Sequence, residues 1–217
     1  FFDFLGHELG LTNVWIALSA DHGVAPTAGV STKLHIPAPL LPGRPVNAAL
    51  NQILSARLSP GHPQEFIVDF GPALAWLNDK AFASIKMNEE DAEHQVGEDL
   101  KQVGMRAYYT RSQLAKSDVP DTGTGLRFLH SNSPEGGWSV IGVPPPFAEG
   151  SEQGADHGSS YSYDRHVPLA FFGIPFQPGI YRTHSEPVDL VTTLASLLGI
   201  NRPTSAVGRV LTEGLAT

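Results

Sequence analysis

Asp21, His22 and Gly23 stand just behind the apolar run Val14 to Leu18, and His157 and Gly158 stand between Asp156 and a row of hydroxyl-bearing residues that begins at Ser159. Carboxylate oxygen and imidazole nitrogen are both ligands that zinc accepts, at about 2.0–2.2 and 2.0–2.1 Å. A glycine beside them lets the backbone turn tightly enough for neighbouring side chains to converge. An apolar run that ends in these residues reads as a buried strand with chemistry at its tip, the place where α/β sheets hold ligands. Asp-His-Gly behind a strand also reads as an ordinary turn, and Asp156 reads equally as a ligand or as a turn acid. His157 lies far from Asp21 in sequence, so only the fold can bring them together.

The other histidines ask for less. His7, His35, His62, His94 and His130 stand among polar or turn residues and read as solvated side chains. His166 enters a strand and His184 precedes a helix. Asp3 and His7 have the spacing Asp-x-x-x-His, but both fall within a short helix and receive no ligand role.

Composition narrows the possible functions. With 217 residues, 41% of them hydrophobic, the chain can bury a core as one domain with room for a subdomain. A net charge of -8 argues against binding to a nucleic-acid backbone, which needs clustered Lys and Arg. The absence of cysteine excludes disulfides, Cys-based zinc modules and a Cys nucleophile. No apolar segment approaches the roughly 18–20 residues of a membrane span, and no basic-then-apolar signal pattern opens the chain. The start at Phe1-Phe2-Asp3, without an initiator Met, points to processing or to a missing amino-terminal part.

The elements that must position these residues follow from periodicity and capping. Phe2 to Leu9 reads as a helix ended by Gly10, Val14 to Leu18 as a strand, and 24–45, rich in Pro, Gly, Thr and Ser, as an extended loop. Val46, Leu50, Ile53, Leu54 and Leu58 follow a helix period. Residues 66–70 and 73–77 flank Gly71-Pro72 as two short strands or a hairpin. Asn88 with Asp91 three residues on opens a polar helix to Val103. Strands follow at Met105 to Thr110 and Trp138 to Val143, with turns over 113–137 between them. After Pro144-Pro145-Pro146, residues 147–154 read as loop and Pro168 to Phe172 as a buried strand closed by Gly173. A helix from Pro187 to Leu198 has Asp189 near its positive end and Gly199 just past its end. A short strand or helix closes the chain near Val210 to Leu215.

Three stretches together resemble a known family. They are Ser19-Ala20-Asp21-His22-Gly23 behind its strand, Gly154-x-x-His157-Gly158-Ser159-x-Tyr161-x-Tyr163-Asp164-x-x-Val167-Pro168, and Val188-Asp189-Leu190-Val191-Thr192-Thr193-Leu194-Ala195-x-Leu197-Leu198-Gly199-Ile200. Their order resembles the carboxy-terminal half of the alkaline phosphatase superfamily, closest to its bacterial monoesterase-type phosphatases related to nucleotide pyrophosphatase/phosphodiesterases. The resemblance implies a two-zinc enzyme that hydrolyses phosphate esters through a phospho-enzyme. It makes Asp21 and His22 ligands of the ion shared with the nucleophile, and His157 a ligand of the other ion. Asp156 departs from the pattern, since many relatives carry Thr or another small residue there. Asp164 is then placed either to accept the second ring N–H of His157 or to make a loop hydrogen bond, with Tyr161 and Tyr163 in support.

The implied architecture is α/β, a mostly parallel sheet flanked by helices, alkaline-phosphatase-like, with a smaller inserted α+β lobe. Residues 1–45 and 144–217 form the core part and 46–143 the inserted lobe. The nucleophile and the remaining ligands are expected upstream of Phe1, so the expected partners are small phosphate esters and the missing amino-terminal portion of the same protein. Nucleic acid and a membrane span are not expected. Family habit places the protein in the periplasm or outside the cell. Two other functions stay open: a phosphodiesterase or nucleotide pyrophosphatase on the same scaffold, and a non-catalytic, metal-free binding domain.

Overall fold

A computed structural model of the chain describes residues 1–151 and 154–216. The loop reading for 147–154 therefore includes two residues, 152 and 153, that lie outside the described residues, as does residue 217 at the end of the last stretch. In chain order the helices are α1 (Phe2–Glu8), α2 (Ala28–Lys33), α3 (Gly43–Leu58), α4 (Asp79–Ser84), α5 (Glu89–Gln102), α6 (Arg111–Ala115), α7 (Gly123–Ser131), α8 (Ser162–Arg165) and α9 (Val188–Leu198). The strands are β1 (Ile16–Leu18), β2 (Ile67–Phe70), β3 (Leu74–Leu77), β4 (Ala107–Thr110), β5 (Val140–Val143) and β6 (Ala170–Phe172). These elements sort into two compact units, Phe1–Gly23 with Arg165–Thr217, and Val24–Asp164, the second of which includes the whole of 46–143.

In the second unit a four-stranded sheet in the order β2-β3-β5-β4 is covered by α3 and α5. α3 buries Val46, Leu50 and Leu54, spaced four apart on one face, and α5 buries Ala92, Val96 and Leu100 in the same rhythm. These six side chains meet Phe66, Ile67, Phe70, Ala75 and Val140 in one core. Asn88 caps α5 by accepting the Asp91 N–H at 2.9 Å, and three acids in the first turn oppose the positive end of its dipole. Asp99, fully buried on α5, is held by a two-pronged bond from Arg57 of α3.

In the first unit β1 pairs with β6, Ile16 opposite Phe172 and Leu18 opposite Ala170. Phe2 of α1 meets the Phe172 ring edge-on at 5.3 Å. Asp189, buried at the start of α9, accepts the N–H groups of Glu186 and Arg209 at 2.9 and 2.8 Å, tying the helix start to the tail of the chain. Gly199 ends α9 in the left-handed conformation, φ 65°, as its position predicts.

The α/β class stands, but strand direction differs from expectation. Every ladder between named strands is antiparallel. The hairpin reading at Gly71-Pro72 holds, joining β2 to β3 antiparallel, whereas an apolar run such as β1 or β6 by itself carries no direction. The turn reading of 113–137 is also corrected: α6 begins at Arg111 and α7 fills 123–131. The loop of 24–45 contains α2, and α3 starts at Gly43 with Pro45 in its first turn, where a missing N–H costs nothing. β6 is not the buried strand expected from its composition, since Ala170 and Phe172 are exposed.

Candidate metal centre

Asp21 and His22 come straight off the end of β1. The His22 N–H donates to Asp21 Oδ1 at 3.0 Å, so the acid folds back over the turn it begins. His22 Nδ1 lies 2.7 Å from the Gly23 carbonyl oxygen. A carbonyl only accepts, so Nδ1 carries the proton and, in the neutral ring, Nε2 presents its lone pair. Nε2 in turn stands 3.5 Å from Asp21 Oδ2. Behind them Ser19 Oγ is buried without a hydrogen-bond partner among the described residues.

His157, in the second unit, sits in a turn of the same local design. Its N–H donates to Asp156 Oδ1 at 2.9 Å, and Gly158 follows with φ 104°, a conformation that favours glycine. Asp164 takes the looser of its two expected roles: Oδ2 accepts from Ser159 N and Ser159 Oγ at 2.8 and 2.6 Å. It thus clamps the loop that carries His157. Tyr163 accepts the Phe147 N–H, Tyr161 donates to the Pro144 carbonyl, and the rings of Phe147, Tyr163 and Tyr161 stack in sequence. Together they fasten this loop to the triproline segment.

Beside His157 opens a cavity of about 250 Å³ whose lining includes Glu149, Asp156 and Asp164. Sequence reasoning passed over Glu149, which lies in an irregular stretch with no motif around it. Its backbone bonds to Pro39 O and from Leu41 N, at 2.9 and 2.8 Å, press the side chain inward to 2% exposure. Burial pushes the Glu149 carboxyl above its ordinary range, and the charges of Asp156 and Asp164 push the same way. Glu149 Oε1 and Asp164 Oδ1 are both buried without a hydrogen-bond partner among the described residues.

Among the described residues no group of three or more His, Asp and Glu converges in metal-ligating geometry. What the structure brings together is the pair Asp21 and His22 in one unit, and His157 with three acids around a cavity in the other.

No protein-family model matches the chain. Two solved structures of the alkaline phosphatase PafA, the wild type and a multiply substituted variant, superpose on 99% of it with TM-scores of 0.84 and 0.83, each at 24% identity. The chain has the alkaline-phosphatase fold. In sequence it is similar to the alkaline phosphatase PafA of Elizabethkingia meningoseptica, 27% identical over 98% of this chain, and to a protein of Myroides odoratus named a calcium-transporting ATPase, 24% identical over 99%. A shorter match, 32% identical over 60 residues, is to the alkaline phosphatase PhoV of Synechococcus elongatus. The chain spans 39% of the length of the first two relatives.

Proposed function

We propose that this chain is the carboxy-terminal portion of a zinc-dependent alkaline phosphatase that hydrolyses phosphate monoesters. Asp21 and His22 hold one ion and His157 holds the other. The observation that carries this reading is the 3.5 Å between Asp21 Oδ2 and His22 Nε2, with the ring proton held on Nδ1 by the Gly23 carbonyl. Two ligands about 2.0–2.1 Å from a tetrahedral ion stand roughly 3.3 Å apart, so the pair needs almost no movement to share one. His157 lies next to a cavity lined by acids, a setting that favours positive charge.

Zinc bound here would supply Lewis acidity and the activation of an oxygen nucleophile. The chain's own residues do the positioning. The Gly23 carbonyl holds the His22 tautomer, Asp156 fixes the backbone turn under His157, and Asp164 clamps the loop through Ser159. The nucleophilic hydroxyl and the remaining ligands come from the part of the protein matching the rest of the relatives' length. That hydroxyl forms a bond to phosphorus as the ester oxygen leaves, and water then breaks the phospho-enzyme bond. We place the protein in the periplasm or outside the cell, as the family resemblance implies.

The test uses the full-length protein. Zinc is measured by mass spectrometry and turnover with aryl monoester and diester substrates, in the wild type and in His22→Ala and His157→Ala. Each substitution should remove about one of two ions per chain and abolish monoester turnover. Unchanged zinc content in both variants would overturn the assignment, and faster diester turnover would move the enzyme to the diesterase class.

A further inference from the structure

Glu149, Asp156 and Asp164 all line the cavity beside His157, and among the described residues around it there is no Lys or Arg to answer them. A buried carboxylate is ordinarily paired with a cation or bound to a metal, because nothing else replaces its lost hydration. Glu149 is 2% exposed and Asp164 5%, yet Glu149 Oε1 and Asp164 Oδ1 have no hydrogen-bond partner among the described residues. The other oxygen of Asp164 is engaged by Ser159, and Asp156 Oδ1 by the His157 N–H. Asp156 Oδ2 lies beside the residue that follows Glu149, since a Cβ on Gly150 would fall 3.1 Å from it. The backbone holds these carriers in place: the Glu149 N–H donates to the Pro39 carbonyl at 2.9 Å, and the Asp156 carbonyl accepts the Ala25 N–H at 3.2 Å.

We propose that Glu149 and Asp164 hold a hydrated hard divalent cation, magnesium or calcium, in this cavity, with the charge of Asp156 beside it. The site is separate from the two zinc positions: it uses oxygen donors alone and shares no ligand with Asp21, His22 or His157. Carboxylate and water oxygens suit magnesium and calcium, whereas zinc favours imidazole nitrogen. Among the described residues no three acids or histidines converge in direct ligating geometry, so water completes the shell. Magnesium commonly binds in this way, through one or two carboxylates and several retained waters. A cavity of about 250 Å³ has room for the ion and several waters, each of which takes about 30 Å³ in the liquid. Bound there, the ion ties the segment behind the triproline to Asp164, which clamps the His157 loop through Ser159. The inference goes beyond the two-zinc reading and concerns other side chains.

Isothermal titration calorimetry of the zinc-loaded full-length protein with magnesium chloride, and separately with calcium chloride, tests this. The wild type should bind one ion per chain from at least one of the two salts. Glu149→Gln should weaken that binding at least about tenfold, and Glu135→Gln, at an exposed acid, should leave it unchanged. Zinc content, read by mass spectrometry, should be equal in all three proteins. The melting midpoint gives a second reading on the wild type alone: it should rise with the logarithm of the concentration of the bound cation. No saturable binding of either ion, a flat midpoint, or equal binding by Glu149→Gln overturns the proposal. So does loss of zinc from Glu149→Gln, since the carboxylate then serves the zinc pair. Magnesium or calcium binding that depends on Glu149 in a protein that holds no zinc sinks the phosphatase reading and leaves this site standing.

Discussion

The Gly23 carbonyl decides which nitrogen of His22 carries the proton in the neutral ring, and this has a direct spectroscopic consequence. In the metal-free chain at a pH where the ring is neutral, nitrogen-15 correlation spectra should show His22 as the Nδ1–H tautomer; the Nε2–H form would contradict the 2.7 Å contact. Glu149 gives a second prediction. Its folded-state pKa is raised, so the stability tied to its neutral form is fully present below the ordinary carboxylate value of 4.5 and is lost as pH rises through the folded value. Glu149→Gln should therefore raise urea midpoints at pH 8 and leave those at pH 4 nearly unchanged, a stabilisation of about 1 kcal/mol. An equal shift at both pH values would show that charge is not the cause. The two residues differ in how readable they were. Asp21 and His22 stand out because their types follow an apolar run, whereas the character of Glu149 comes from burial imposed by Pro39 and Leu41, which no local pattern records.

At the scale of elements, Asn51 of α3 stands in for a missing neighbour strand. Its Oδ1 accepts the N–H groups of Phe66 and Ile67 at 2.7 and 2.9 Å, and its Nδ2 donates to Ile67 O at 2.9 Å. Asn51→Ala should leave these buried groups unpaired and cost about 2–4 kcal/mol, measured by chemical denaturation. Gly97 faces Tyr108 so closely that a Cβ would fall 2.2 Å from the ring. Gly97→Ala should destabilise by about 1–3 kcal/mol even though alanine favours helix by about 1, because the overlap outweighs the propensity gain. Long periodic elements were legible: α3, α5 and α9 follow from spacing and caps. The short helices were not, although α6 carried a readable signal. Thr110 and Gln113 form a reciprocal capping box, Thr110 Oγ1 accepting the Gln113 N–H at 3.0 Å and Gln113 Oε1 the Thr110 N–H at 3.1 Å. Strand direction lay beyond reach, since pairing is a long-range outcome in β1 with β6 and β3 with β5.

For the whole molecule, the uneven distribution of core predicts an uneven melt. Calorimetry of the 217-residue chain should show a cooperative enthalpy near 100 kcal/mol at about 60 °C, the value for the roughly 140 residues of the second unit, and not the roughly 150 kcal/mol of a uniformly folded chain. A single transition with the larger enthalpy would mean that the first unit folds cooperatively as well. The overall class was legible because motif order survives where individual pairings do not.

The register that sets Ile16 against Phe172 also places a clock in the protein's synthesis. At roughly 5–20 residues per second, β1 leaves the ribosome some 8–30 s before its partner strand exists. The β2–β3 hairpin, by contrast, has both strands within moments of each other. Through that interval the strand that leads to Asp21 and His22 is an unpaired apolar segment, a natural target for a holding chaperone and the point at which a nascent chain is most exposed to aggregation.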